Sequence, residues 1–392
     1  MPDTPAIQAL HLFSDKKFIP WVKQTFQISH WHSHFIIINV KSKNSQVVID
    51  DDTIEVSGDA FGQKIILEKL KDVDIAFHYF LDNIKANIVF QDDSNTLHCW
   101  CFYGAEIYQQ TSKFRKELYG PVTQKLLWTF PEIKFRYDLR KYFYFLQLKT
   151  PPITSLLRAI PKIHNILWYV EEEMNRIKER IPLPAWKFFQ FFSFPDIIPT
   201  GTGSTNKQNK KILVGNSATI ENNHADVLEA IKECSNDQHS YSLPLTYGQF
   251  PRYKARIKTL FKKALGERVK FVEDHMALQE YYLFLLRHPT AVFLHYRQQG
   301  LGNILYLLYV GTKVYLSRKN VVTEWLTRNQ IKVYIFEEEF ARDIQQDNLV
   351  LDDATASMNR NGIMALLDHN RNEQTLKALE AEVLMNREMN SK

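Results

Sequence analysis

The chain has 392 residues, 45% of them hydrophobic and 24% charged, with a net charge of +5. That composition argues against a disordered chain, and the length predicts two domains rather than one core. The three cysteines, Cys99, Cys101 and Cys234, argue against a disulfide framework. Cys99 and Cys101 flank Trp100 on one strand face and read as core thiols rather than zinc ligands. No apolar run approaches the ~20 residues of a membrane span, and MPDTPAIQALHLF lacks the basic start of a signal peptide. A cytoplasmic protein is expected.

In the first half, strands alternate with helices. Strands are predicted over 6–13, 34–40 and 74–80, and helices over 18–27 and 61–72; ANIVFQ (86–91) and TLHCWCFYG (96–104) are two further apolar runs. From Gln110 to about Pro199 the pattern turns to helical segments interrupted by prolines. Eleven Lys/Arg stand against three Asp/Glu between Thr111 and Ile166, among many Trp, Tyr and Phe, so the rest of the chain is slightly acidic. PTGTGSTNKQNK (199–210) has the composition of a flexible linker, and the domain boundary is expected there. After it the alternation resumes. Strands are predicted at KILVG, YSLPL, VKFVED, TAVFLHYR, TKVYLSR and KVYIFEE, with a basic helix 251–265 stopping at Gly266. This gives an α/β chain with two doubly wound, Rossmann-like parts: 1–200, carrying the basic aromatic segment 111–200, and 211–350, followed by a helical segment over 351–392. Open parallel sheets bind ligands beyond the carboxyl ends of their strands, and two such sheets facing each other across a cleft make the GT-B architecture.

Two strand-to-helix turns are almost uncharged. In GNSATIENNH (215–224), Gly215 lets backbone approach a ligand, Asn216, Ser217 and Thr219 can donate to phosphate oxygens, and Asn222 or Asn223 suits an N-cap. Free N–H groups and the helix dipole then favour an anion, although an ordinary capped helix has the same composition. RQQGLGN (297–303) adds Arg297 for a diphosphate, the amides of Gln298, Gln299 and Asn303, and Gly300 and Gly302 for tight backbone turns. TYG (246–248) contributes Tyr247 and Gly248 and reads equally well as a plain turn. Together these turns look like a nucleotide-diphosphate cradle, and they match neither GxGxxG nor a P-loop.

The stretches LVGNSATIENNH, PLTYGQ and LLRHPTAVFLHYRQQGLGNILYLLYVGTKVYL closely resemble glycosyltransferase family 56. LFSD (12–15), AFHYF (76–80) and WCFYGAEIY (100–108), with Glu106 in place of the family's aspartate, extend the resemblance to the first half. It implies a GT-B transferase that moves a 4-acetamido-4,6-dideoxyhexose of the N-acetylfucosamine type. The donor would be a dTDP-sugar and the acceptor a polyprenyl-diphosphate-linked saccharide in surface polysaccharide synthesis. No cofactor or bound metal is implied; helix N-termini and basic side chains would take the charge of the leaving diphosphate. The pairs Asp51–Asp52 and Asp92–Asp93 are accordingly read as solvated turns. In many GT-B enzymes a glutamate holds the ribose where this chain has Tyr306, so ribose contact is expected from backbone or Asn303.

If the reaction inverts, a general base is needed, and Asp15, Glu106 and His78 each stand at a predicted strand end. Their ordinary alternatives are a helix cap, an ion pair and a core histidine. The basic aromatic segment fits nucleic acid, an anionic membrane surface or a plain aromatic core. The resemblance favours the membrane, and the enzyme is expected to be peripheral on the inner face of a bacterial inner membrane, with no nucleic-acid partner. Two other readings stay open: another nucleotide sugar for O-antigen or capsule assembly, and a non-catalytic nucleotide-sugar-binding protein.

Overall fold

The computed structural model of the protein describes residues 6–27, 31–42, 46–108, 112–133, 154–234, 238–248, 250–368 and 370–391, with the single positions 135, 139 and 146. The chain forms two units: Met1–Gln110 with Phe135–Phe192 and His369–Lys392, and Thr111–Lys134 with Ser193–Asp368. The chain thus passes between units at four places, where the sequence partition provided for a single boundary at 199–210. Much of the basic aromatic run, from residue 136 to 153, falls outside the described residues apart from positions 139 and 146.

Among the described residues the first unit holds eight strands: β1 (Gln8–Phe13), β2 (His32–Asn39), β3 (Gln46–Val48), β4 (Thr53–Ser57), β5 (Ile75–Tyr79), β6 (Leu97–Cys101), β7 (Asn165–Leu167) and β8 (Ala185–Lys187). Their order is β3-β4-β2-β1-β5-β6-β7-β8, and all neighbours are parallel except β3 with β4. β1 pairs with β2 on one side and β5 on the other, so the direction of winding reverses between β1 and β5. One face of this sheet buries Leu10, Leu12, Ile36, Ile38, Val56 and Ala76 against the helix 60–70 and the helix 83–91. Cys99 and Cys101 are buried in β6, as core thiols should be.

The apolar run ANIVFQ lies within the helix 83–91, whose first turn is capped by Asp82 accepting from the N–H groups of Ile84 and Lys85. Other elements depart from the sequence expectation. β7 and β8 interrupt what read as proline-broken helix; at three residues each they are too short to show a period of two. Asp92 is no solvated turn: it is buried and accepts from Ser94 Oγ (2.7 Å) and His98 Nε2 (3.0 Å). The C-terminal helix 370–390 belongs to this unit. Its Arg387 grips Asp74 with Nε to Oδ1 at 2.7 Å and Nη2 to Oδ2 at 2.6 Å, and Asn372 pairs with the backbone of Gln190.

The second unit holds β9 (Lys211–Val214), β10 (Ser240–Pro244), β11 (Val269–Val272), β12 (Thr290–Phe293), β13 (Lys313–Leu316) and β14 (Tyr334–Ile335). The order is β11-β10-β9-β12-β13-β14, all parallel, which is the doubly wound 3-2-1-4-5-6 arrangement. The runs Ile212–Val214, Ala291–Phe293 and Val314–Leu316 are wholly buried, as expected of strands covered on both faces. The helix 251–265 ends on Gly266 at φ +59°, the stop read from the sequence. The 199–210 stretch is stitched down rather than free. Thr205 is buried, with its N–H donating to Val310 O and its hydroxyl to Leu286 O, and Lys207 and Lys210 pair with Asp353 and Asp347. Its polar residues therefore serve internal bonds, which composition alone does not distinguish from solvation.

Candidate functional site

In the second unit the winding reverses between β9 and β12, and both polar turns leave the sheet there. Gly215 follows β9 with φ +68°. A Cβ on it would lie 2.4 Å from Asn222 Oδ1 and 3.0 Å from His224 Nε2. The left-handed backbone and the missing side chain are both required. Asn222 ties the turn: its Oδ1 accepts from Asn216 N–H (2.9 Å), and its Nδ2 donates to Ser217 Oγ (3.1 Å) and Thr219 Oγ1 (2.9 Å).

The second turn locks onto the first. Gly300, at φ +66°, begins the helix 301–309, and a Cβ there would come within 2.7 Å of Asn216 Nδ2. Gln299 Nε2 donates to Thr219 Oγ1 at 2.9 Å. Arg297 is buried and donates from Nη1 to Gln298 O (2.7 Å), while its Nε finds no partner among the described residues. Gly302 lies inside the helix, with Ile197 Cδ1 3.4 Å from where its Cβ would be, and it makes no tight turn. The third turn closes the group: Ala218 N–H donates to Tyr247 O at 2.5 Å, and a Cβ on Gly248 would meet Ala218 Cβ at 2.7 Å. TYG is thus more than a plain turn, since its glycine permits a close approach to the Gly215 turn.

Asn222 and Asn223 differ from the capping role expected of them. Asn223 occupies the N-cap position of the helix 224–232 at φ +51°, yet makes no side-chain cap bond. Its Nδ2 donates to Leu118 O (3.1 Å) and Leu294 O (2.8 Å), and its Oδ1 accepts from Gly120 N–H (2.9 Å). Asp226 accepts from Val122 and Thr123 N–H at 2.9 and 3.0 Å. The segment 112–133 is fastened to the second unit through these two side chains. Both asparagines are buried with their amides engaged, so they position the turn.

Beside the three turns lies a cavity of about 450 Å³ lined by Asn216, Ser217, Tyr247, His275, Tyr281 and Asn303, among others. Asn303 Nδ2 donates to the Tyr281 hydroxyl at 3.0 Å. Burial pushes that phenol well up, and the hydrogen bond from Asn303 acts in the opposite direction. Asp274, Met276 and Leu278 also line the cavity. Sequence reading missed them and Tyr281, because the connection 273–277 and the helix 278–285 that follows it carry no glycine motif. Tyr306 is buried with its ring against Tyr282 at 4.5 Å and its hydroxyl donating to Tyr282 O, and it is not part of the lining.

In the first unit, Asp15, His78 and Glu106 stand in very different surroundings. Asp15 is exposed, caps the short turn 16–18 by accepting from Lys17 N–H, and pairs with Lys17 Nζ at 3.1 Å. Glu106 is buried and its Oε1 accepts from Trp100 Nε1 (3.1 Å) and Tyr103 N–H (2.9 Å). His78 is buried, with Nε2 3.0 Å from His98 Nδ1; burial first, then the charges of His98 and Lys85, hold it well below the usual imidazole range. The winding reversal between β1 and β5 holds a group that sequence reading did not find. Ser14 Oγ donates to Asp82 Oδ2 (2.6 Å), and the buried Lys85 Nζ reaches Asp82 Oδ2 (2.7 Å), Phe80 O (3.1 Å) and Ser14 Oγ. Only the fold brings residues 14 and 82 together.

Residues 167–379 match the family model described as 4-alpha-L-fucosyltransferase glycosyl transferase group 56. Among solved structures, HepE of Anabaena, in complex with UDP and glucose, aligns with a TM-score of 0.61 at 9% identity, covering 96% of this chain and 100% of that one. The sucrose-phosphate synthase of Thermosynechococcus elongatus aligns at 0.59 with 12% identity, covering 96% and 99%. The E. coli trehalose-6-phosphate protein bound with UDP-2-fluoro glucose aligns at 0.58 with 8% identity, covering 96% and 98%. At such identities the likeness speaks to the fold, which is GT-B, with two Rossmann-like sheets.

Proposed function

The chain belongs to glycosyltransferase family 56, and from that premise we propose that it moves a 4-acetamido-4,6-dideoxyhexose from a dTDP-sugar to a polyprenyl-diphosphate-linked saccharide. The observation that carries the donor half of this reading is the convergence of three turns, at Gly215–Ser217, Tyr247–Gly248 and Arg297–Gly300, beside one cavity in the second unit. The turns supply backbone N–H groups, amides and one guanidinium for a diphosphate, and the cavity supplies Tyr281, Met276 and Leu278 for a nucleoside.

In this reading the sugar departs as the glycosidic carbon–oxygen bond to the diphosphate breaks. The negative charge on the leaving diphosphate is met by Arg297, the turn amides and the N-terminus of the helix 301–309, so no metal is required of the protein. The acceptor hydroxyl attacks the same carbon, and a carboxylate of the first unit takes its proton if the reaction inverts. Asp15 is the exposed candidate. The enzyme works at the inner face of the bacterial inner membrane. Among the described residues no helix is long and apolar enough to cross a membrane, and the exposed Trp128 beside Lys125 suits peripheral contact with anionic lipid.

A thermal-shift panel of dTDP, UDP and GDP tests the donor, with stabilisation by dTDP expected. No shift with any of the three removes the transferase reading of this site. Incubation with dTDP-sugars and a lipid-linked acceptor, read by mass spectrometry, tests the transfer. A product from UDP- or GDP-sugars alone moves the enzyme to another polysaccharide.

A further inference from the structure

Two histidines near the Arg297 turn were not among the residues the sequence singled out. His224 is the first residue of the helix 224–232, fully buried, and packs with Nε2 against Gly215. Among the described residues neither of its ring nitrogens has a partner. His295, also fully buried, follows β12, and its Nδ1 is likewise unpartnered.

The proton on His295 can be assigned. Asn222 Oδ1 accepts from the backbone N–H of Asn216 at 2.9 Å, and a backbone N–H only donates, so this atom is the carbonyl oxygen. His295 Nε2 lies 3.0 Å from the same oxygen and must therefore carry the proton. Its Nδ1 is left as a bare lone pair without a partner among the described residues.

The surroundings hold both imidazoles below their ordinary value. Burial alone brings His224 down to about 3, with no carboxylate acting on it. Burial, then Arg297 and then His224, holds His295 well below its ordinary value. Of the two acids in the adjoining stretch, Asp226 is engaged by Val122 and Thr123 N–H, and both Asp226 and Glu221 act on Tyr253. With the unpartnered Nε of Arg297, four buried nitrogens on three basic side chains lack partners among the described residues where β9 and β12 part.

We propose that His224, His295 and Arg297 form an anion hole for a diphosphate, and that this hole takes up a proton from solvent as the anion binds. The inference rests on the donor reading above and adds to it both residues and a proton. Binding of the anion offsets the burial cost of an imidazolium. The added proton turns a lone pair on His295, or the second nitrogen of His224, into a donor. Balance requires only one solvent proton per anion, and no bond to carbon changes. Affinity therefore rises as pH falls through the bound-state value of the pair and levels off below its free-state value.

The test is calorimetric titration with dTDP and with inorganic pyrophosphate, near pH 7, in two buffers of different ionisation enthalpy. The wild type is expected to take up about half a proton or more per anion. His224→Gln and His295→Gln are expected to lose that uptake and to bind both anions roughly tenfold to a hundredfold more weakly. Subtracting a variant from the wild type removes protonation of the anion itself. Binding of dTDP with no uptake beyond that of the variants overturns the inference and leaves the donor reading standing. Variant-sensitive uptake with pyrophosphate, but no better binding of dTDP, supports the hole and removes the nucleotide. No binding of either anion overturns both. If one variant fails to fold, the other supplies the subtraction, and titration of the free anion without protein gives the anion's own protonation independently.

Discussion

Gly300 and Asn216 stand 84 positions apart in sequence, yet a Cβ on Gly300 would lie 2.7 Å from the Asn216 amide nitrogen. The polar turn after β12 is seated directly on the polar turn after β9. Gly300→Ala must push Asn216 away and adopt φ +66°. The expected cost is about 1–3 kcal/mol of stability, with weaker binding of a nucleoside diphosphate. Urea unfolding and a dTDP thermal-shift titration read the two effects. Unchanged values in both would show that the turns move independently.

Asn223 ties the segment 112–133 to the second unit with three hydrogen bonds, to Leu118 O, Leu294 O and Gly120 N–H. Asn223→Gly keeps the positive φ and removes the bonds, whereas Asn223→Ala loses both. Removing buried partners costs about 1–3 kcal/mol, and the alanine variant is expected to be less stable than the glycine variant by a further ~1 kcal/mol. Limited proteolysis is expected to cut first within 112–133 in both.

Asp15 and Glu106 separate by what each does for the fold. Asp15→Asn lies on the surface and is expected to change stability by less than about 0.5 kcal/mol. If Asp15 takes the acceptor proton, kcat falls about a hundredfold or more. Glu106→Gln weakens the seat of the Trp100 indole and the Tyr103 amide. It is therefore expected to lower stability whether or not it touches chemistry. Loss of kcat in Glu106→Gln without loss of stability would transfer the role to Glu106.

Acid should weaken the second unit through Asp343. Burial alone would raise this carboxyl, but hydrogen bonds from Lys313 and Tyr315 and the charge of Lys313 hold it below its ordinary value. A depressed folded value means a contribution present above the unfolded value of ~4 and lost as pH falls through the folded one. Unfolding free energy is expected to stay level from about pH 7 to 5 and to fall below about pH 4. Lys313→Met takes the buried ammonium from a carboxylate at 1% exposure, leaving Arg342 at 3.2 Å as a remaining cation, and is expected to cost about 2–3 kcal/mol at neutral pH. Chemical denaturation across pH checks both.

The sequence by itself determined the α/β class, the six strands of the second sheet and the family. Each of these is written in local patterns: unbroken apolar runs, glycine-ended strands and short polar turns at fixed offsets. Even the turn roles of Gly215 and Gly300 were legible, because turn chemistry depends on residues a few positions apart. What only the tertiary structure decided are the long-range pairings. The winding reversal places residue 14 on residue 82 and turn 215 against turn 300, and Asn223 carries residues 118–120 into the second unit. His224 closes the polar turn in the sequence, and only its burial in the fold leaves both its nitrogens without partners among the described residues. Asp92 looked solvated until the fold set His98 beside it. A local pattern specifies backbone conformation; the partner a polar group finds depends on which distant segment the packing delivers to it.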